Sequence, residues 1–232
     1  MAPLAPQAPP VGSRSASSAR FQRRWPPVAL VIVIAAGLVG IGVAAGVLVG
    51  LGRTSPPGAD SVDAGFARDM SRHHLQSVEM ANLALERSAD PEVRQLAFDI
   101  SSTQTNQVGR MQGWLTLWQL PPTGGQMMGW MQPTGDHAAH QTNAGGLMPG
   151  MATEIELADL RSLTGPAFDI RFLHLMIRHH QGGADMAEQA VRLADEPAVR
   201  SLADSILQAQ TAETATMGQM LRSRGAAPLP AT

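Results

Sequence analysis

Two adjacent histidines occur twice in this chain, at His73-His74 and His179-His180. Each pair is preceded by a methionine three positions before its first imidazole (Met70, Met176) and followed by another six positions after its second (Met80, Met186). A thioether is soft, neutral and does not titrate. It suits Cu(I) and, by the same softness, Ag(I), whereas imidazole suits copper in either oxidation state and also zinc. The chain has no cysteine, so thiolate ligation and disulfides are excluded and any soft-metal site must be built from Met and His. A ligating imidazole must be uncharged, so uptake through ordinary histidines weakens below about pH 6, while Met positions resist acid.

On a helical wheel at roughly 100° per residue, Met70, His73, His74 and Met80 fall within a sector of roughly 120°. The second set, Met176, His179, His180 and Met186, repeats the pattern. Met111 and Met217 stand seven residues after Gln104 and Gln210. The competing reading is packing, because Met commonly fills core gaps. Adjacent histidines on an apolar stripe fit that reading less well, since buried polar groups cost stability unless paired or bound. Asp69 could pair His73 at i, i+4, and Glu79 or Asp185 could serve similarly.

Behind these motifs lies an internal repeat. Displaced by 106 residues, positions 66–115 align with 172–221 at 18 identities in 50. Each unit reads as a helical hairpin. In the first, apolar residues recur through Phe66, Met70, Val78, Ala81 and Leu85, then Asp90-Pro91-Glu92 signals a stop and restart. The second breaks near Asp195-Glu196-Pro197. Two hairpins, 62–118 and 165–224, predict an all-α four-helix bundle over 62–224, followed by a disordered tail at 225–232. The connection, 119–164, is rich in Gly, Pro, Met and His, and Thr153 with Glu156 has capping-box spacing for a short helix. Its Met127, Met128, Met131, His137, His140, Met148 and Met151 are either extra soft-metal ligands that order on binding or a flexible linker.

The N-terminal region is of another kind. Residues 1–24 have the Pro-, Ser- and Arg-rich composition of a disordered segment. Residues 28–52 run 25 positions without a charge, and a spanning helix needs about 20. We expect a single-pass anchor over 25–52 and a linker at 53–61. The arginines before the span put the N-terminus in the cytoplasm and the bundle outside. A cleaved signal peptide and a secreted product are the alternative. Gly42, Gly46 and Gly50 have the spacing for close packing of two anchors, hence a homodimer. Residues 54–232 carry twelve Arg against nineteen acids, a formal charge of −7. That argues against nucleic acid as partner and is mildly attractive to cations.

The segments Phe66-x3-Met70-x2-His73-His74-x5-Met80 and Phe172-x3-Met176-Ile177-Arg178-His179-His180-Gln181-x4-Met186-Ala187 resemble the signature of the ferritin-like proteins called domain of unknown function 305 (DUF305). So do Met148-Pro149-Gly150-Met151-Ala152-Thr153 and Gln210-x2-Glu213-x3-Met217. The resemblance spans roughly 62–224. It implies a ferritin-like four-helix bundle outside the cytoplasm and kinship with CopM-like periplasmic proteins that bind copper and silver. Carried over by position, it makes Met70, His73, His74, Met80, Met111, Met176, His179, His180, Met186 and Met217 the candidate ligands. The first repeat departs from the pattern, with Leu75 where the second has Gln181 and Gln107 where it has Glu213.

Three function classes follow. The first is copper binding for buffering, storage or delivery to a cuproprotein partner, without turnover; zinc held by the four paired histidines is a variant that leaves the methionines unexplained. The second is a di-iron oxidoreductase, which needs Glu-x-x-His on two helices; that motif does not occur in the chain. The third is a metal-free helical interaction module at the membrane.

Overall fold

The computed structural model describes residues 39–40, 55–131 and 146–227. Apart from Val39 and Gly40, the expected anchor lies outside them, as do His137 and His140. No helix among the described residues is long and apolar enough to cross a membrane. The unit from Pro56 onward contains four long helices and one short one: α1 (Val62–Arg87), α2 (Pro91–Leu117), α3 (Glu154–Ser162), α4 (Gly165–Leu193) and α5 (Pro197–Ser223). The described residues include no strand.

Local chemistry sets these boundaries. The Ser61 hydroxyl accepts from Ala64 N–H to start α1. The Asp90 carboxylate accepts from Glu92 and Val93 N–H, with Pro91 in the first turn of α2. Thr153 and Glu156 form the expected reciprocal capping box on α3. The repeated Arg94 and Arg200 have a shared structural duty. Arg94 donates to the carbonyls of Leu85 and Ser88, and Arg200 to those of Ala194 and Asp195, stapling the two hairpin turns.

The hairpins α1–α2 and α4–α5 join through α1 and α4, which run antiparallel. Asp63, at the start of α1, accepts from the backbone N–H groups of Asp195 (3.2 Å) and Glu196 (2.9 Å), just past the end of α4. It fixes the chain entering α5, where Glu196 makes no side-chain cap bond of its own. The apolar core is in two parts. One contains Phe66, Met70, Met111, Leu115, Met186, Leu202 and Ile206 with the connection's Met128, Trp130, Met148 and Met151. The other contains Met80, Val93, Ile100, Phe168, Phe172, Met176, Met217 and Leu221. Between them the helices bury polar side chains.

Candidate metal-binding site

That polar layer holds the four paired histidines, all fully buried. The rings of His73 and His179 face one another across the α1–α4 contact, centroids 3.8 Å apart and planes inclined by 35°. His74 lies 6.5 Å from His73 and His180 lies 6.4 Å from His179, each pair inclined by 53°. The matching geometry shows that the 106-residue repeat folds into a local two-fold relation, with His73 meeting its own counterpart.

Oxygen acceptors orient three of the rings. His74 Nε2 donates to Gln107 Oε1 at 2.8 Å, His180 Nε2 to Glu213 Oε2 at 2.7 Å, and His73 Nε2 to the Pro149 carbonyl at 3.0 Å. In a neutral ring, a proton on Nε2 leaves the lone pair on Nδ1. None of the four Nδ1 atoms has a hydrogen-bond partner, and His179 Nε2 has none either. The amide of buried Gln210 and the Oε1 of Gln104 are likewise without partners. Unsatisfied buried groups are rare in native interiors and call for a cause, such as an unseen ion.

Burial also sets the protonation state. It pushes the imidazole of His73 down to about 4, against the Pro149 carbonyl, which favours the charged form. Burial and then the neighbouring His73 push His74 to about 3. His179 lies well below the ordinary value, first from burial and then from the adjacent His73. These three rings are therefore uncharged at neutral pH, as ligands must be. The acid threshold near pH 6 expected from ordinary imidazole moves downward for them.

The methionine sulfurs do not all join this layer. All six repeat methionines are fully buried, but Met80 stands two turns beyond His73 on the same helix, about 10 Å along the axis at 1.5 Å per residue. Met70, Met111 and Met186 fall in one core cluster, and Met80, Met176 and Met217 in the other. The antiparallel helices thus mix the repeats, each cluster taking two methionines from one hairpin and one from the other. Met176 is tied towards the layer, since Ser77 Oγ donates to its Sδ at 3.1 Å. Met148 and Met151 are buried beside Met70. Among the described residues, no three His, Asp or Glu side chains already form a metal cage.

The connection seals one side. An added Cβ on Gly182 would lie 2.2 Å from the Pro149 carbonyl oxygen, and one on Gly150 (φ +74°) 2.3 Å from that of Arg178. Gln76 holds the same strip, bonding both ways to the Ala152 backbone at 2.7 and 2.9 Å. Arg178 clamps Glu156 with two bonds of 2.7 Å, and that pairing holds the Glu156 carboxyl down to about 2.

Several expectations need correction. Asp69 does not pair with His73; its carboxylate accepts from Met128 N–H (2.8 Å) and Trp130 Nε1 (2.9 Å), because the connection offers donors that a same-helix imidazole cannot match. Glu79 is taken by Arg161. Leu75 and Gln181 are exposed, so their difference does not reach the site. The Gln107/Glu213 difference does. Gln104, Gln210 and Pro149 were not picked out as site residues, although Gln104 and Gln210 lie one turn before Gln107 and Glu213 on the methionine stripe.

A helical bundle with a duplicated, buried His-His layer between Met-rich cores defines the class. The chain belongs to the DUF305 family, described as a domain of unknown function, which matches residues 63–221. It is similar to a DUF305 protein from Streptomyces coelicolor described as secreted, with 42% identity over 74% of this chain and 99% of that one (TM-score 0.66). It is also similar to a DUF305 fragment from Deinococcus radiodurans, with 34% identity over 70% and 96% (TM-score 0.57). CopM in its Cu(I)-bound form is 25% identical over 69% and 96% (TM-score 0.54). None of the curated proteins matches the chain.

Proposed function

We propose that this chain is an extracytoplasmic binder of soft metal ions, copper foremost and silver by the same chemistry, that buffers, stores or delivers its cargo without turnover. The observation that carries this reading is the layer of fully buried imidazoles with five ring nitrogens lacking any partner. A bound ion would satisfy donors that the protein leaves open. His73 and His74 in one repeat and His179 and His180 in the other would ligate through nitrogen, with Met70 and Met176, each one turn from its histidine pair, as candidate thioethers. Met111, Met217, Met80 and Met186 extend the soft surroundings towards the two ends. The Cu(I)-bound and Cu(II)-bound forms of CopM, at 25% and 26% identity, support copper as the ion. The description of the Streptomyces relative as secreted supports the compartment, and the apolar run at 25–52 supports a membrane anchor.

The test uses residues 56–232, the unit that contains the family match at 63–221. Titration with Cu(I) and Zn(II) against competing chelators should show tight Cu(I) binding. That binding should be weakened by His179→Ala with His180→Ala. No Cu(I) binding, or binding unchanged in the double variant, overturns the assignment and leaves a metal-free interaction module.

A further inference from the structure

We propose that the two histidine pairs accept ions of different charge: His180, held by Glu213, takes a divalent cation, and His74, held by Gln107, takes a monovalent thiophilic one. This rests on the metal-binding reading above and assigns each half of the site its own selectivity. The second histidines of the two pairs are closely matched, although His73 Nε2 bonds the Pro149 carbonyl and His179 Nε2 makes no equivalent bond. In both, the second histidine of the pair donates from Nε2 to a side-chain oxygen 33 residues later, at 2.8 Å in the first repeat and 2.7 Å in the second. In both, Nδ1 is buried and unpartnered. The difference is the acceptor, a neutral amide in one and a carboxylate in the other.

That difference matters because the layer is buried. A charge moved into a low-dielectric interior is tolerated when an opposite charge compensates it. Imidazole and thioether are neutral ligands and supply none. A monovalent ion needs the least compensation and matches the softness of neutral ligands. A divalent ion needs more, and Glu213 supplies it through His180. A carboxylate on the far nitrogen also raises the basicity of the ligating one and fixes its tautomer. The Glu213 side chain reaches the buried His180 ring from a partly exposed position, at 23% exposure against 0%. Behind His180, the partnerless Gln210 amide sits against Gly183, where the first repeat has Ser77 bonded to Met176. Glu213 is thus a positioning residue that acts through His180.

The experiment compares wild type, Glu213→Gln and Gln107→Glu in the 56–232 chain. Each is titrated with Cu(II), read by electron paramagnetic resonance, and with Ag(I), read by chelator competition. Glu213→Gln should weaken the tightest Cu(II) site about 10- to 100-fold, as loss of such an outer partner does, and alter its nitrogen hyperfine pattern while Ag(I) affinity stays unchanged. Gln107→Glu should add a second Cu(II) signal. Both changes are near-isosteric, and metal-free melting curves check the fold; should Glu213→Gln not fold, Gln107→Glu decides alone. An unchanged Cu(II) affinity and spectrum in Glu213→Gln, or equal loss of Cu(II) and Ag(I), overturns the selectivity proposal. If wild type itself takes neither ion, the metal-binding reading falls with it.

Discussion

Lowering the pH from 7 to 5 should destabilise the metal-free domain through its buried histidines, and the size of the effect follows from their environment. A free imidazole takes up its proton near pH 6.5, but His73 in the fold does so only near pH 4. At pH 5 the unfolded ring is about 1.5 pH units below its midpoint while the folded ring is still neutral, a difference of about 2 kcal/mol. His74, held at about 3, contributes about the same at pH 5, and His179 acts in the same direction. The sign follows from linkage: the unfolded chain binds more protons, so stability is fully present above pH 6.5 and is lost as acid is added towards pH 4. Two rings alone give about 4 kcal/mol, a large share of the 5–15 kcal/mol typical of a domain. The Glu156–Arg178 pair does not mask this, because the Glu156 carboxyl, held at about 2, releases its stabilisation only below its ordinary value of 4.5. Urea unfolding at pH 7 and pH 5 with a chelator present measures the difference directly. His73→Leu with His74→Leu should flatten the dependence. Equal urea midpoints at the two pH values would mean that the rings are hydrated in solution, and the argument from burial would fail.

Three further outcomes test the site's construction. Met176→Leu keeps the packing volume and should cost less than about 1.5 kcal/mol while lowering Cu(I) affinity in a chelator competition; unchanged affinity would make that sulfur a packing group. Gly182→Ala forces a methyl against the Pro149 carbonyl and should lower stability by about 1–3 kcal/mol, with faster hydrogen exchange at residues 148–152 if the strip lifts from α4. Asp63→Ala removes the acceptor for the Asp195 and Glu196 N–H groups and should lower the melting temperature by the equivalent of about 1–3 kcal/mol, the usual cost of leaving such donors unsatisfied, without changing metal affinity.

Much of this architecture was legible because its signals are local or duplicated. Asp90-Pro91 and Thr153/Glu156 announce helix starts through bonds spanning only a few residues, and the structure has helices there. The 106-residue repeat made two equivalent hairpins the economical expectation. What stayed hidden depends on the path of the connection. The Pro149 carbonyl on His73 and the Met128–Trp130 turn that captures Asp69 are contacts across more than fifty residues. One signal was readable and passed over. Gly182-Gly183 falls inside a helix, where each glycine costs about 1 kcal/mol relative to alanine and calls for a reason. For Gly182 the reason is the Pro149–Gly150 backbone crossing at that point, and for Gly183 it is the Gln210 side chain. The split of the methionines between two clusters was also implicit in the seven-residue spacing from His73 to Met80. A shared azimuth on a helix is not a shared layer.

The histidine layer is a place where the protein gives up stability, and His179 shows this most sharply. It is fully buried and stacked on His73, and neither of its nitrogens makes a hydrogen bond of normal geometry, although the His73 backbone lies near enough to favour its charged form weakly. Its counterpart His73 is anchored by the Pro149 carbonyl, and among the described residues His179 has no equivalent acceptor. Leaving a buried polar group unsatisfied costs about 1–3 kcal/mol, and removing it in favour of an apolar side chain of similar shape is often neutral or stabilising. His179→Leu should therefore raise the stability of the metal-free domain at pH 7 and at the same time weaken Cu(I) binding. Opposite movements of stability and affinity are the mark of a residue kept for its ligand. If His179→Leu instead destabilises the metal-free domain, the imidazole is a satisfied part of the packing, and duplication preserved the pairs for structure rather than for a metal.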